Sequence, residues 1–226
     1  MTRIAVLQMR SGIDPDANLA TMRDGVERAA QGGARMLFTP EMSGLLDQKR
    51  SRAEQHIHAQ DENDMLAALQ DEARSHGIWL AIGSLAVAGE GDRWANRAFV
   101  IDDAGEIAAR YDKMHMFDAD FDDGESWQES KAYAPGHEVV MAQTPVGRLG
   151  LTICYDLRFP ALFDALGRQE CDVIATPAAF TKGTGRDHWH VLQRARAIEA
   201  SAYIVAAAQV GEHEDGRKTY GHSLVV

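Results

Sequence analysis

Short apolar runs alternate with amphipathic stretches along this chain. Residues 4–8 (IAVLQ) have the length and apolarity of a buried strand. Asp14-Pro15 follows, a capping residue and then a proline suited to a first helical position. Leu19, Met22, Val26 and Ala30 recur at helical spacing, and Gly32-Gly33 stops the pattern. Residues 34–39 (ARMLFT) form a second buried strand, closed by Pro40. Residues 61–76 carry Met65, Leu66 and Leu69 on one face of a predicted helix that Gly77 ends, and 78–85 form a third strand.

The pattern then changes. Residues 97–101 and 107–111 are β-like runs joined by Asp-Asp-Ala-Gly, a hairpin signal. Residues 112–136 are acidic and aperiodic, a long loop of the kind that serves function. Strands are expected at 139–143, 149–154, 172–176 and 203–209, with another beginning at 223. Helices are expected at 160–168 and 189–200, leaving 181–189 (TKGTGRDHW) as a loop. Such βα units and hairpins describe one α/β domain with covered sheet faces. Alternation alone does not separate one sheet from two.

Composition narrows the functional classes. With 226 residues, 45% hydrophobic and 25% charged, the chain is an ordinary globular one. Its net charge of −11 makes nucleic acid and anionic membranes poor partners. The longest apolar run, 202–208, is far short of the roughly 20 residues that span a bilayer. The first ten residues read as a strand without a cleavage signature. Cys154 and Cys171 cannot build a disulfide framework or a four-cysteine metal site. A reducing, cytoplasmic setting is expected.

Four polar residues stand at element ends or in the irregular loop: Glu41 in FTPEMSG, Lys113 in RYDKMHMFD, Glu129 in WQES and Cys154 in LTICYDLRFP. Singly, each has an ordinary alternative: a solvated acid, a surface lysine, a small buried thiol. Cys154 is distinguished by context. Its strand stops there and YDLRFP turns the chain toward a helix, so a thiol at this turn has backbone N–H groups near it to hold an oxyanion.

These motifs, in this order and spacing, strongly resemble the nitrilase superfamily of carbon–nitrogen hydrolases. RARAIEASAYIVAAAQ and TYGHSLVV are similar to its later blocks, so the likeness runs from about residue 3 to the end. The stretch 188–223 resembles the branch acting on deaminated glutathione, neighbour to the ω-amidases of 2-oxo acid amides.

The resemblance implies a four-layer α-β-β-α sandwich and a homodimer or larger assembly. It implies a small-molecule amide substrate and no cofactor. Cys154 would be the nucleophile, Glu41 the general base, and Lys113, with the N–H of Tyr155, the oxyanion partner. Glu129 would orient Lys113, with Asp120 as the alternative carboxylate. Glu41, serving as base and then as acid, should have an effective pKa near the operating pH. Substrate contacts are expected from Tyr155, Arg158, Phe180, Thr181 and His188; Arg158 has the fork that pairs a carboxylate bidentately. The resemblance also implies one domain over 1–226 whose fold continues past Val226, leaving the C-terminal part missing.

Other readings compete. His56-x-His58 and His188-x-His190 look like metal ligands, but HExxH and paired CxxC motifs are absent. No metal is therefore expected. A non-catalytic binding protein on the same fold would lose the acid, the lysine or the thiol. Within the enzyme reading, ω-amide, N-carbamoyl and nitrile hydrolysis would use the same residues; VGEHEDG at 210–216 favours deaminated glutathione.

Overall fold

The computed structural model describes residues 2–89, 91–120 and 126–226. The chain opens with β1 (Ile4–Val6), α1 (Pro15–Gln31), β2 (Met36–Phe38), the short α2 (Arg50–Ala53), α3 (Asp64–His76), β3 (Trp79–Ala88), β4 (Trp94–Ile101) and β5 (Ile107–Asp112). The five strands form one sheet in the order β1-β2-β3-β4-β5, parallel through β3 and antiparallel beyond it. After a small hairpin, β6 (Asp118–Asp120) and β7 (Ser126–Gln128), come β8 (Met141–Thr144), β9 (Gly147–Leu151), α4 (Pro160–Arg168), β10 (Val173–Ala175), α5 (Lys182–Ala200) and β11 (Tyr203–Ala206). A second hairpin, β12 (Val210–Glu212) and β13 (Lys218–Tyr220), precedes β14 (Leu224–Val225). The second sheet runs β14-β11-β10-β9-β8.

Local chemistry sets these boundaries. Asp14 Oδ1 accepts from Asp16 N at 3.0 Å to cap α1, with Pro15 in its first turn. Asn63 Oδ1 caps α3 by accepting from Leu66 N at 2.9 Å. Gly77, at φ 58°, closes α3 in the left-handed conformation glycine adopts without a Cβ clash.

The two sheets pack face to face. Met36, Phe38, Ala81, Ala98 and Val100 point inward and join Leu149, Leu151, Ile174 and Val205 in one buried cluster. Their sequence neighbours Leu37, Leu80, Ile82, Phe99 and Ile101 point outward, where Met22, Val26, Leu66 and Leu69 of α1 and α3 cover them. This period-2 division is how the first sheet buries both faces. Leu162, Phe163, Leu166 and Trp189 bring α4 and α5 onto the second sheet. The result is the four-layer α-β-β-α sandwich.

Three expectations need correction. Residues 112–136 are not one irregular loop: β6 and β7 pair there, Asp118 opposite Gln128, followed by the single 3-10 turn Glu129–Lys131. Residues 121–125 of that stretch lie outside the described residues. Residues 182–189 are not a loop but the first two turns of α5. Gly183 and Gly185 masked the helical pattern there, and Gly185 is needed because any Cβ would collide with the Tyr220 ring. The predicted helix at 61–76 begins only at Asp64, behind the 3-10 turn Gln60–Glu62.

Candidate active site

Two strand ends of different sheets meet over one glycine. Thr39-Pro40 leaves β2 and delivers Glu41, while Thr176-Pro177 leaves β10 and delivers Ala178 and Ala179. Gly83 lies between them on β3, at an irregularity in the β3–β4 register. A Cβ there would fall inside contact distance of the Thr39 and Pro40 carbonyl oxygens and the Pro177 ring. Gly83 N donates to Thr39 Oγ1 at 3.0 Å, and Ser84 Oγ accepts from Met42 N at 2.9 Å. Gln209, fully buried, reaches from the second sheet to the first: its Nε2 donates to Ser11 Oγ at 2.6 Å and to Glu41 O at 3.0 Å.

Cys154 starts where β9 has ended. Its φ of 47° is left-handed, a strained value for a residue with a side chain, and it turns the chain into the 3-10 turn Cys154–Arg158. Cys154 N donates to Pro177 O at 2.8 Å. Asp156 fixes the turn from beneath. Its Oδ2 accepts from Ile153 N at 2.8 Å and from Tyr111 Oη at 2.7 Å, and its Oδ1 accepts from His115 N at 3.0 Å. Tyr111 and His115 flank Lys113, so one buried carboxylate aligns the thiol turn with the lysine segment.

The charged centre is buried. Lys113 Nζ donates to Glu41 Oε1 at 2.9 Å and to Glu129 Oε2 at 2.8 Å. Asn96 Nδ2 donates to both carboxylates, at 3.0 and 3.1 Å. Ala179 N donates to Glu41 Oε2 and Phe117 N to Glu129 Oε2, at 2.8 and 2.7 Å. Cys154 and Glu41 are close enough for each to shift the other's titration.

The protonation pattern follows. Burial pushes the Glu41 carboxyl up, but Lys113, the Ala179 N–H and the Cys154 thiol together outweigh it and hold the group below the usual carboxylate range. Burial and then the Glu41 charge push the Cys154 thiol well up, against the opposing pull of Lys113. Burial disfavours the Lys113 ammonium, yet Glu129 and Glu41 raise it well above the ordinary lysine value. The resting centre is therefore thiol, ammonium and two carboxylates. A Glu41 pKa near the operating pH is not met, because the group is held below its ordinary value.

Glu41, Lys113, Glu129 and Cys154 line one cavity of about 550 Å³, together with Trp94, Trp127, Tyr133 and Thr181. Asp120 is elsewhere, accepting from Ser126 Oγ at 2.6 Å across the β6–β7 hairpin. Of the expected substrate contacts, only Thr181 is on the wall. Arg158 lies beside it in a cluster of its own, 3.2 Å from His188 Nδ1 and over the rings of Tyr155 and Phe180. Arg158, Tyr155, Phe180 and His188 are thus corrected from cavity wall to supporting cluster. The 3-10 turn carries Arg158 away, and α5 places His188 two turns from its start. Asn96, Asp156 and Gln209 escaped the sequence reading. An Asn inside a strand and a Gln at the end of an apolar run were the available signals.

Among the described residues no group of three or more His, Cys, Asp or Glu is placed to hold a metal ion. No described helix is long and apolar enough to cross a membrane. Both cysteines are free and buried.

Comparison with known proteins agrees with this geometry. Residues 3–226 match the carbon–nitrogen hydrolase family model. Deaminated glutathione amidase of Yersinia enterocolitica is 42% identical over 228 residues, covering 99% of this chain and 78% of that protein. The C. elegans NitFhit protein superposes with a TM-score of 0.88 at 35% identity, over 100% of this chain and 56% of that one. A glutamate-to-glutamine mutant of the Nesterenkonia sp. AN1 amidase, showing the Michael addition of acrylamide at its active-site cysteine, superposes at 0.86 with 25% identity. That match covers 100% of this chain and 85% of the amidase.

Proposed function

The chain belongs to the carbon–nitrogen hydrolase family, and from that premise we propose that it hydrolyses deaminated glutathione through a thioester on Cys154. The observation that carries the mechanism is the shared centre in which Lys113 bridges Glu41 and Glu129 on the wall of the cavity that Cys154 also lines. The observation that supports the substrate is the 42% identity to an amidase of that name.

Substrate enters with its amide carbonyl over Cys154. As sulfur bonds to the carbonyl carbon, its proton passes to Glu41, and the carbonyl oxygen becomes an oxyanion beside Lys113 and the Tyr155 N–H. Glu41 returns the proton to the amide nitrogen, the C–N bond breaks and the amine leaves. Water then loses a proton to Glu41 and adds to the thioester. The proton returns to sulfur as the acid departs. The thiol is not ionised beforehand, so proton transfer accompanies attack. Glu129 and Asn96 hold Lys113 and Glu41 in register.

Amine release from deaminated glutathione, 2-oxoglutaramate, an N-carbamoyl amino acid and a simple nitrile tests the reading. Cysteinylglycine release that disappears in Cys154→Ala is expected; turnover of the nitrile alone would overturn it. The same reading makes the chain a cytoplasmic homodimer. Val191 and Ile198, 60% and 78% exposed on one face of α5, suit a second copy. Sedimentation of Ile198→Lys as a monomer would support this arrangement.

A further inference from the structure

The wall of the catalytic cavity carries more cations than the chemistry uses. Among the described residues, Lys113, Arg50, Lys182, Arg217 and Lys218 line it against the carboxylates of Glu41, Asp47 and Glu129. This excess stands in a chain of net charge −11. Most of these cations pair off. Lys113 serves Glu41 and Glu129. Asp47 is taken by Arg52 from outside the wall, Nη2 to Oδ1 at 2.9 Å. Arg217 Nε donates to Asp215 Oδ2 at 2.7 Å, and Lys218 Nζ lies 3.1 Å from Glu212 Oε1. Arg50 and Lys182 remain without a carboxylate among the described residues.

The two are held differently. Arg50 Nη1 donates to Lys131 O at 3.1 Å and Nη2 to Asp92 O at 2.7 Å, with the guanidinium 5.0 Å over the Trp94 ring. Two neutral carbonyls and an aromatic face fix its plane but cancel none of its charge, and most of its five N–H donors stay free. Lys182 opens α5 and also lines the cavity, with Thr181 and Thr184, and its side chain has no hydrogen bond among the described residues. Both side chains are exposed, and uncompensated cations at the opening of a cleft draw anions toward it. Arg158, the cation expected to do this, is not on the wall.

Deaminated glutathione, glutathione with a keto oxygen in place of its amino group, carries a carboxylate on each side of the scissile amide. We propose that Arg50 and Lys182 each hold one of two such carboxylates, and so set a preference for doubly charged amides over neutral ones. The inference rests on the reading of this cavity as the amidase site.

The test compares kcat/KM for wild type, Arg50→Gln, Arg50→Lys and Lys182→Gln on four compounds. These are deaminated glutathione, 2-oxoglutaramate with the acyl-side carboxylate alone, N-butanoyl-cysteinylglycine with the leaving-side carboxylate alone, and neutral butyramide. Each Gln variant should lose about 10- to 100-fold on deaminated glutathione, mainly in KM, as expected for one charge-assisted hydrogen bond. Each should lose as much on one singly charged compound and less than about 2-fold on butyramide. Arg50→Lys should recover part of the loss. Protection of Cys154 from alkylation by the same compounds reads binding without turnover and should give the same order. Equal losses on all four compounds, or none, would overturn the assignment. Wild-type turnover of the singly charged amides without turnover of deaminated glutathione would overturn only the substrate reading.

Discussion

Lys113 Nζ stands 2.9 Å from Glu41 Oε1 with the two side chains 2% and 5% exposed. So close a buried pair, with Glu129 also 2.8 Å from the ammonium, makes the lysine a structural element of the centre. Lys113→Met should leave two carboxylates facing each other in the interior and cost about 3–5 kcal/mol, the range for removing one partner of a buried pair. Urea unfolding measures it. The loss should shrink at acid pH, where one carboxyl protonates; a cost below about 1 kcal/mol would show that the pair adds little.

Glu41→Gln separates base from electrostatics. Amide hydrolysis should fall about 10²- to 10⁴-fold with loss of the proton acceptor. Burial and the Glu41 charge hold the thiol protonated, whereas Lys113 favours the thiolate. Removing the charge should therefore lower the Cys154 pKa. Alkylation of Cys154 by iodoacetamide near neutral pH should speed up while hydrolysis collapses. If both rates fell together, the resting protonation pattern would be wrong.

The pH dependence follows with its sign. Glu41 is held below its ordinary value. Its stabilisation is thus complete above the unfolded-state value of about 4.3 and lost as pH falls through the lower folded one. In the proposed mechanism the carboxylate is the active form, so kcat/KM should be flat from about pH 5.5 to about 8.5 and bend only outside that window. Burial and the Glu41 charge lift Cys154, and Glu129 and Glu41 lift Lys113 against the opposing effect of its burial, which keeps both titrations on the alkaline side. A limb near pH 6.5 would point instead to a histidine.

Gly83→Ala should disturb the site without touching it. The added methyl meets two carbonyl oxygens and the Pro177 ring, so the Glu41 and Ala179 segments must part. A loss of several kcal/mol in stability is not required, since overpacking costs about 1–3. A drop of at least about 100-fold in kcat is expected, because a misplacement near 1 Å has that effect. Retained kcat would show that the crossing has slack.

The layered fold was legible where apolar runs had clean stops. Gly77 ends α3 as expected, and Pro160 opens α4 at the expected residue. Two sheets were not legible, because runs buried on both faces look alike whichever sheet they join. The start of α5 was hidden by two glycines, Gly183 and Gly185, that do not break the helix; Gly185 packs against Tyr220. In the site, Glu41, Lys113, Glu129 and Cys154 stood out through their motifs and do converge. Asn96 and Asp156 could not, because a strand asparagine and a turn aspartate are ordinary until the carboxylates and N–H groups they serve are in place. Arg158 was misplaced because sequence proximity to Cys154 does not say which way a 3-10 turn points a side chain.

The division of the site between the two sheets also governs when its reactivity can exist. Glu41, Asn96, Lys113 and Glu129 all precede the second sheet in the chain, while Cys154 and the Ala179 N–H belong to it. Under the proposed mechanism, until the sheets dock the cysteine is an unassisted thiol and the lysine has no nucleophile to serve. A partly folded chain therefore carries no working hydrolase, and amidase turnover reports on the joining of the two halves as well as on the chemistry.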